Sequence, residues 1–329
     1  MRSKLTNDDQ QLATLSQSNI THTEQAITAP HKRGHDVISR LVTLTMCLCV
    51  SGTMVSGCYP ERVDSVKLMN EGIKLYQSGK RRPALRVLER SAQRDPTNHR
   101  APFYRGLVFN EMGLADQDER HFRDAVKSFE ASAKVNQNDP EVFFQLGIAY
   151  KSLEDYRDAL NAFEKASEIQ AHGQAHYHSG EIYLTLEEYN RAQESFRAAI
   201  TAQPDYGVAY TALSKLYRRF KKRSEAVIVL KNAIENDPDE VGHYRDLGEV
   251  YTDLKQFTRA VEWLEKAQQM SPYDAPITFL LGVAYLQVDD EQSAEVSLRK
   301  YLGMSHRTAE RIMVLKARQI LKKLQKRRR

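Results

Sequence analysis

A spacing of 34 residues recurs along most of the chain and restricts the folds that it can adopt. Prolines, alanines and tyrosines keep this spacing independently of one another: Pro204, Pro238 and Pro272; Ala192, Ala226, Ala260 and Ala294; and Tyr183, Tyr217, Tyr251 and Tyr285. A period of this length is typical of repeat proteins, in which similar units stack and share one continuous core. The 329 residues are therefore predicted to form a row of repeats and not two conventional domains.

Each period contains two stretches with helical periodicity. The first places aromatic, aliphatic and small residues at i, i+3, i+4 and i+7, namely Tyr244, Leu247, Gly248 and Tyr251. The second runs from Ala260 to Ala267 and ends before Pro272, because proline cannot continue the interior of a helix. The predicted unit is a helical hairpin, which has to stack on its neighbours to bury its apolar face.

These residues resemble the tetratricopeptide repeat, whose consensus is W-x2-L-G-x2-Y followed by A-x3-F, A and P. Units three and four match it at Phe143, Leu146, Gly147, Tyr150, Ala159, Phe163 and Ala166, and at His176, Gly180, Tyr183, Ala192, Phe196, Ala199 and Pro204. The resemblance covers roughly residues 65–305. It implies an all-α fold, an α-solenoid of about seven hairpins with a C-terminal capping helix. The first helix of each pair would line a concave groove that binds other proteins or peptides.

An apolar run at residues 41–50 has the length of a signal-peptide core and is shorter than the roughly 20 residues of a spanning helix. It is followed by Val55-Ser56-Gly57-Cys58, which resembles the processing box of bacterial lipoproteins. That resemblance implies cleavage between Gly57 and Cys58 and lipid on the Cys58 thiol. Residues 1–57 are then a signal region, and residues 58–64 a tether.

Residues 1–36 are long for the segment that precedes a signal-peptide core, so we expect the natural reading start to lie near Val37. Tyr59 follows the lipidated cysteine where enteric bacteria use aspartate to retain lipoproteins at the inner membrane. Its presence favours the outer membrane, with the mature protein facing the periplasm. All three cysteines, Cys47, Cys49 and Cys58, precede the repeats, so no disulfide is predicted within the solenoid.

The basic segment from Lys215 to Arg223 lies at the end of a predicted first helix, and Lys215, Arg218 and Arg219 are expected to face the groove. Such a cluster could hold an acidic peptide or a C-terminal carboxylate. Alternatively, carboxylates of the next unit at Asp246, Glu249 and Asp253 neutralise it. The predicted groove residues are, in chain order, Phe103, Tyr104, Phe144, Tyr177, Glu181, Lys215, Arg218, Arg219, Arg245, Glu249 and Phe279.

The second unit is longer than the period by seven residues, measured from Gly106 to Gly147. The extra residues fall around 114–120 and are polar and acidic. Insertions in solenoids usually occur in exposed turns, and some of them belong to a binding face. We therefore expect an extended loop between the two helices of this unit.

The C-terminal segment, residues 306–329, holds ten Lys or Arg and one Glu. Ile312, Leu315, Ile320 and Leu324 recur at near-helical spacing and are predicted to pack against the last unit as a cap. The cations are predicted to contact an anionic membrane surface. They are Lys322, Lys323, Lys326, Arg327, Arg328 and Arg329.

No motif indicates catalysis, a metal site or a cofactor. The histidines at 172, 176 and 178 are close in sequence, but His176 occupies a core position of the repeat and a closed site needs further ligands. The sequence therefore predicts a non-enzymatic scaffold, lipid-anchored in the bacterial envelope. It would assist assembly of a membrane complex such as a type IV pilus secretin. Two alternatives stay open: a cytosolic adaptor with an unprocessed N-terminus, and a scaffold subunit of a polysaccharide or cell-wall assembly system.

Overall fold

The computed structural model describes residues 59–304 and 311–327, and these contain fifteen α-helices and no strand. The predicted signal region, Gly57 and Cys58 lie outside the described residues. In chain order the helices α1 to α15 are Tyr59–Gln77, Arg81–Arg94, Arg100–Asp116, Glu119–Val135, Pro140–Ser152, Tyr156–Ile169, Gly173–Thr185, Tyr189–Ala202, Gly207–Arg219, Arg223–Asn236, Val241–Asp253, Phe257–Met270, Ala275–Gln287, Glu291–Met304 and Arg311–Arg327.

Consecutive helices pack as seven antiparallel hairpins, α1/α2 to α13/α14, and each second helix also packs against the first helix of the next unit. The buried apolar residues form clusters that span successive hairpins, as expected when stacking buries a continuous core. Residues 59–329 form a compact unit that contains every described helix. The predicted all-α solenoid is confirmed.

A close approach between the two helices of a hairpin requires glycine. A methyl group on Gly147 would lie 2.5 Å from Cε1 of Phe163, whose ring is almost fully buried against α5. Gly180 and Phe196 repeat this contact one unit later. The glycine and the aromatic residue of the consensus therefore form one contact, in which the absence of Cβ makes room for the ring.

The second hairpin departs from the prediction of an extended loop. Helices α3 and α4 have 17 residues each, whereas the next hairpin has 13 and 14, and only Gln117 and Asp118 connect them. The seven additional residues thus lengthen both helices. Gly113 receives the ring of Phe122 as Gly106 receives that of Phe129. The second contact buries apolar surface that a loop would leave exposed, which explains why the helices continue.

Helix α1 begins at Tyr59, so the segment predicted as a tether up to residue 64 is helical. Pro60 and Glu61 suit the first turn of a helix, since proline needs no amide partner there and a carboxylate interacts favourably with the helix dipole. Ser65 is fully buried and its Oγ donates to the carbonyl of Ser91, 2.9 Å away. Helix α1 therefore begins before residue 65, and Ser65 is the first residue from Pro60 onward that is buried in the hairpin.

In units three to seven the turn between the two helices has a residue in the left-handed region at an equivalent position. The residues have φ between 58° and 60° and are Glu154, Glu187, Lys221, Lys255 and Asp289. The first unit has Gly79, with φ 76°, in this turn. Side chains in this region are strained, because Cβ approaches the carbonyl oxygen that follows it.

Helix α15 packs on the last hairpin, as predicted for a cap, but only Ile320 and Leu324 of the four predicted residues take part. Ala317 and Leu324 are buried, and Val314, Ile320 and Leu321 pack beside them against the cluster that contains Phe279 and Tyr301. Ile312 and Leu315 were predicted to belong to this face, yet they are 83% and 58% exposed. The buried face of α15 is centred on Ala317, whose small side chain lets the helix approach Phe279 and Tyr301 closely. Ile312 and Leu315 therefore lie on the opposite side of the helix.

Candidate protein-binding groove

The first helices of the hairpins form one surface of the solenoid. Neighbouring first helices contact each other in most units, whereas contacts between neighbouring second helices are less extensive. A stack that is tighter on one side curves toward that side, so the first helices form the concave surface. Side chains of α5, α7, α9 and α11 that point away from their own second helices face this groove.

Ion pairs connect neighbouring first helices on the groove surface. Nζ of Lys151 on α5 lies 2.5 Å from Oε2 of Glu181 on α7, and Nδ1 of His178 lies 2.8 Å from the same oxygen. The hydroxyl of Tyr177 donates to the other carboxylate oxygen, 3.0 Å away. Partial burial alone would raise the pKa of Glu181, but the hydrogen bonds from His178 and Lys151 lower it to about 2.

Two units further on, the same positions carry a second ion-pair group. Arg218 on α9 donates through Nη1 to Glu249 and through Nε to Asp253, both on α11 and both at 2.7 Å. Burial lowers the pKa of Arg218, but the hydrogen bonds that Arg218 donates to the two carboxylates outweigh this effect and raise it. Carboxylates of the next unit therefore neutralise Arg218, as the second of the two sequence interpretations predicted.

The junction between α7 and α9 lacks such a pair. Leu184 occupies the position that Lys151 and Arg218 hold in the flanking units, and Lys215 occupies the position of Glu181 and Glu249. A leucine therefore stands beside a lysine where the flanking junctions place a cation beside a carboxylate. Within residues 59–304 and 311–327, no carboxylate lies within ion-pair distance of Lys215, whose side chain is exposed.

A cleft opens at this junction. Backbone contacts between α7 and α9 are sparser than those between the other neighbouring first helices. The cleft has a volume of about 290 Å³ and combines apolar and polar walls. Its lining includes Tyr177, Glu181, Leu184, Phe196, Val208, Lys215 and Arg219. Val208 at its edge is 49% exposed. The arrangement could accept an apolar side chain next to an acidic group.

Arg219 points to a different partner than Arg218. Its guanidinium lies 4.6 Å from the centre of the Tyr189 ring, and Nη2 donates to the Tyr189 hydroxyl at 2.7 Å. Tyr189 begins α8, so this contact joins the end of α9 to the preceding unit. Of the three cations that the sequence analysis placed in the groove from the basic segment 215–223, only Lys215 thus has no partner within the described residues.

A second cleft, of about 510 Å³, lies where α9, α11 and α13 begin. Its wall includes Arg245, which pairs with Asp246 at 2.8 Å, while Thr211 donates to the other oxygen of Asp246. His243 is 2% exposed and neither ring nitrogen has a hydrogen-bond partner, and burial lowers its pKa. Sequence reasoning missed His243, since nothing in its spacing distinguishes it from a surface histidine.

Several aromatic residues predicted for the groove lie between units instead. Phe144 is 6% exposed and stacks on His172 with ring centres 4.5 Å apart. Phe279 is also 6% exposed, because α15 covers it. Phe103 and Tyr104 are half-buried and contact each other edge to face at 5.5 Å. Phe144 and Phe279 therefore offer a partner little surface, since their rings are buried against His172 and α15 respectively.

The three neighbouring histidines have separate structural contacts. His172 accepts a hydrogen bond from the amide of Ala175 at the start of α7. His178 contacts Glu181, and burial lowers the pKa of His176. In the part of the chain that the structure describes, no group of three or more His, Cys, Asp or Glu side chains is placed to hold a metal ion.

The predicted membrane-contact residues lie on or after α15. Lys322, Lys323, Lys326 and Arg327 are exposed, and Arg327 pairs with Glu291 at 3.0 Å. Arg328 and Arg329 lie outside the described residues. Of the helices described, none combines the length and the apolar character that crossing a bilayer requires.

Comparisons with known proteins agree with this architecture. The tetratricopeptide repeat family model matches residues 144–207 and 211–275. Among solved structures, Pseudomonas aeruginosa PilF is 12% identical, with 71% of this chain and 100% of that chain covered and a TM-score of 0.50. A tetratricopeptide repeat protein of Parabacteroides merdae is 17% identical, with coverage of 80% and 99% and a TM-score of 0.49.

YrrB, a tetratricopeptide repeat protein described as having an unusual peptide-binding site, is 19% identical, with coverage of 59% and 99% and a TM-score of 0.47. No curated protein sequence matches the chain significantly. At these identities the structural likenesses concern the fold alone. The tetratricopeptide repeat model matches residues 144–207 and 211–275, so this part of the solenoid is similar to tetratricopeptide repeats.

Proposed function

We propose that this protein is a non-enzymatic scaffold that holds another protein in its concave groove, with the cleft between α7 and α9 as the main contact. The observation that supports the proposal is that Leu184 and Lys215 stand at this junction where the flanking junctions have an ion pair. At the flanking junctions the charged side chains pair with each other, whereas Lys215 has no carboxylate partner among the described residues and can attract one from another protein. An extended partner segment with an apolar residue beside an acidic one fits these walls.

A photo-crosslinking amino acid at position 208 tests this contact in the native host. Val208 lines the cleft and is 49% exposed, while Ile228 on α10 is 60% exposed on a second helix and serves as the matched control position. We expect one discrete product from position 208, absent from position 228 and lost when Lys215→Glu is added. Equal products from both positions, or a product unaffected by Lys215→Glu, would contradict the proposal.

We further propose that lipid on Cys58 anchors the scaffold to the bacterial envelope, with the outer membrane favoured and the solenoid in the periplasm. The apolar run at residues 41–50 and the small residues before Cys58 support this. Mass spectrometry of the N-terminus, on protein purified from host membranes, should find a chain that begins with acylated Cys58. An intact residue 1 with a free Cys58 thiol would support the cytosolic adaptor instead.

The complex that the scaffold serves is proposed to be an envelope assembly such as a pilus secretin. This rests on the combination of a lipoprotein signal with tetratricopeptide repeats. A deletion strain should lose assembled secretin and pilus-driven motility, and the full-length gene should restore both. Loss of an envelope polymer with normal motility would favour the alternative of a polysaccharide or cell-wall assembly scaffold.

A further inference from the structure

The outward face of α15 begins with apolar side chains and continues with lysines. Ile312, Leu315, Gln319, Lys322 and Lys326 follow one another at i, i+3, i+7, i+10 and i+14, which is a single stripe of a helix. Ile312 and Leu315 are 83% and 58% exposed, and both lysines are exposed. This stripe lies opposite the buried residues Ala317 and Leu324, so the cap function of α15 does not involve it.

The charge of α15 has one sign. The helix contains seven Lys or Arg and no Asp or Glu. One of these cations, Arg327, pairs with Glu291 of α14. Lys322 and Lys326 point away from the last hairpin, on the side where Ile312 and Leu315 are exposed. A binding surface that complements this face should therefore offer anionic groups to the lysines and an apolar layer to Ile312 and Leu315.

We infer that the outward stripe of α15 binds the surface of a bilayer that contains anionic phospholipids. Lysines attract the phosphates of such a surface, and apolar side chains on the same face can enter the boundary between headgroups and acyl chains. A nucleic acid would use the cations but would leave Ile312 and Leu315 without a contact. This contact is independent of the groove and of lipid on Cys58, and it would give the solenoid a membrane contact at its C-terminal end.

Binding can be measured with residues 59–329, the compact unit with its own core, after circular dichroism has confirmed that it is folded. This chain lacks Cys58, so its result is separate from that of the lipid-anchor proposal and does not depend on a groove partner. We expect co-sedimentation with vesicles of equal parts phosphatidylglycerol and phosphatidylcholine, and none with phosphatidylcholine alone. Added salt should weaken binding, because it screens exposed charges.

Paired variants separate the two components of the stripe. Lys322→Gln with Lys326→Gln should lower the association constant roughly thirty-fold, as expected for two lysines near an anionic surface. Ile312→Ser with Leu315→Ser should lower it by about tenfold or more without changing the charge. The matched control, Lys221→Gln with Lys222→Gln, removes the same charge from the exposed turn after α9 and should have little effect.

Three results would overturn the inference. The first is no binding to the anionic vesicles. The second is an equal loss in the control, which would mean that only the overall charge matters. The third is tight binding of duplex DNA that depends on the lysines and is unchanged by Ile312→Ser with Leu315→Ser, since this would identify α15 as a nucleic-acid contact.

Discussion

Two kinds of junction occur between α5 and α11. Between α5 and α7, and again between α9 and α11, a cation of one first helix meets a carboxylate of the next. Between α7 and α9 the same two positions hold Leu184 and Lys215, and a cleft takes the place of the pair. Paired junctions fix neighbouring units against each other, whereas the unpaired junction keeps a charge and an apolar wall for another molecule.

The largest effect should come from opening a paired junction. Arg218→Ala leaves the partly buried Glu249 and the exposed Asp253 without their cation, which we expect to cost about 2 kcal/mol of unfolding free energy. Lys215→Ala at the unpaired junction should change it by less than about 0.5 kcal/mol. Urea denaturation followed by circular dichroism measures both. Equal losses would show that the two junctions do not differ as the contacts indicate.

The first paired junction should be sensitive to acid. Because the pKa of Glu181 is about 2 in the folded protein, against 4.5 for an ordinary glutamate, its contribution is complete above pH 4.5 and is lost as the pH falls toward 2. With its partial exposure taken into account, we expect about 1 kcal/mol. Glu181→Gln should thus lower stability at pH 7 and have little effect at pH 2.5.

Thermal melts of the wild type and of Glu181→Gln across this pH range provide the measurement. Glu164→Gln is the control, since Glu164 is exposed and forms no ion pair within residues 59–304 and 311–327. A difference between wild type and Glu181→Gln that stays constant from pH 7 to pH 2.5 would contradict the lowered pKa.

Converting the unpaired junction into a paired one tests whether the free lysine and the apolar wall bind the partner. Leu184→Glu places a carboxylate beside Lys215 and should lower stability by about 1 kcal/mol, because Leu184 packs half-buried against the core and an ion pair with the exposed Lys215 returns little. It should, however, abolish the crosslink from position 208, since it both pairs the lysine and removes the apolar wall. Leu186→Glu, at an exposed leucine in the following turn, is the control that should leave the crosslink intact.

The smallest effect concerns the turn next to the cleft. Lys221 has φ 59°, so Lys221→Gly relieves backbone strain, although glycine also raises the entropy of the unfolded chain. A net gain of about 0.5 kcal/mol is expected, with no change in the crosslink. Gly79→Ala, at φ 76° in the equivalent turn of the first unit, should lower stability by about 1 kcal/mol. Urea titrations of both variants test this pair.

The candidate site was only partly predictable. Lys215, Arg218 and Arg219 were all placed in or beside the groove by their positions on the repeat, and the possibility that Glu249 and Asp253 neutralise Arg218 was readable from the next unit. The residue type at one position does not reveal which of these cations has a partner. That depends on distances between helices of different units, and it separates Lys215 from the other two.

The sequence by itself determined the repeat and the helical hairpins, because these are local patterns that recur at a fixed spacing. Only the tertiary structure decided that the seven extra residues lengthen α3 and α4, since the contact of Gly113 with Phe122 forms across the hairpin. It also decided which face of α15 is buried. Close packing of Ala317 against the last hairpin selects that face, and Ile312 and Leu315 are left exposed.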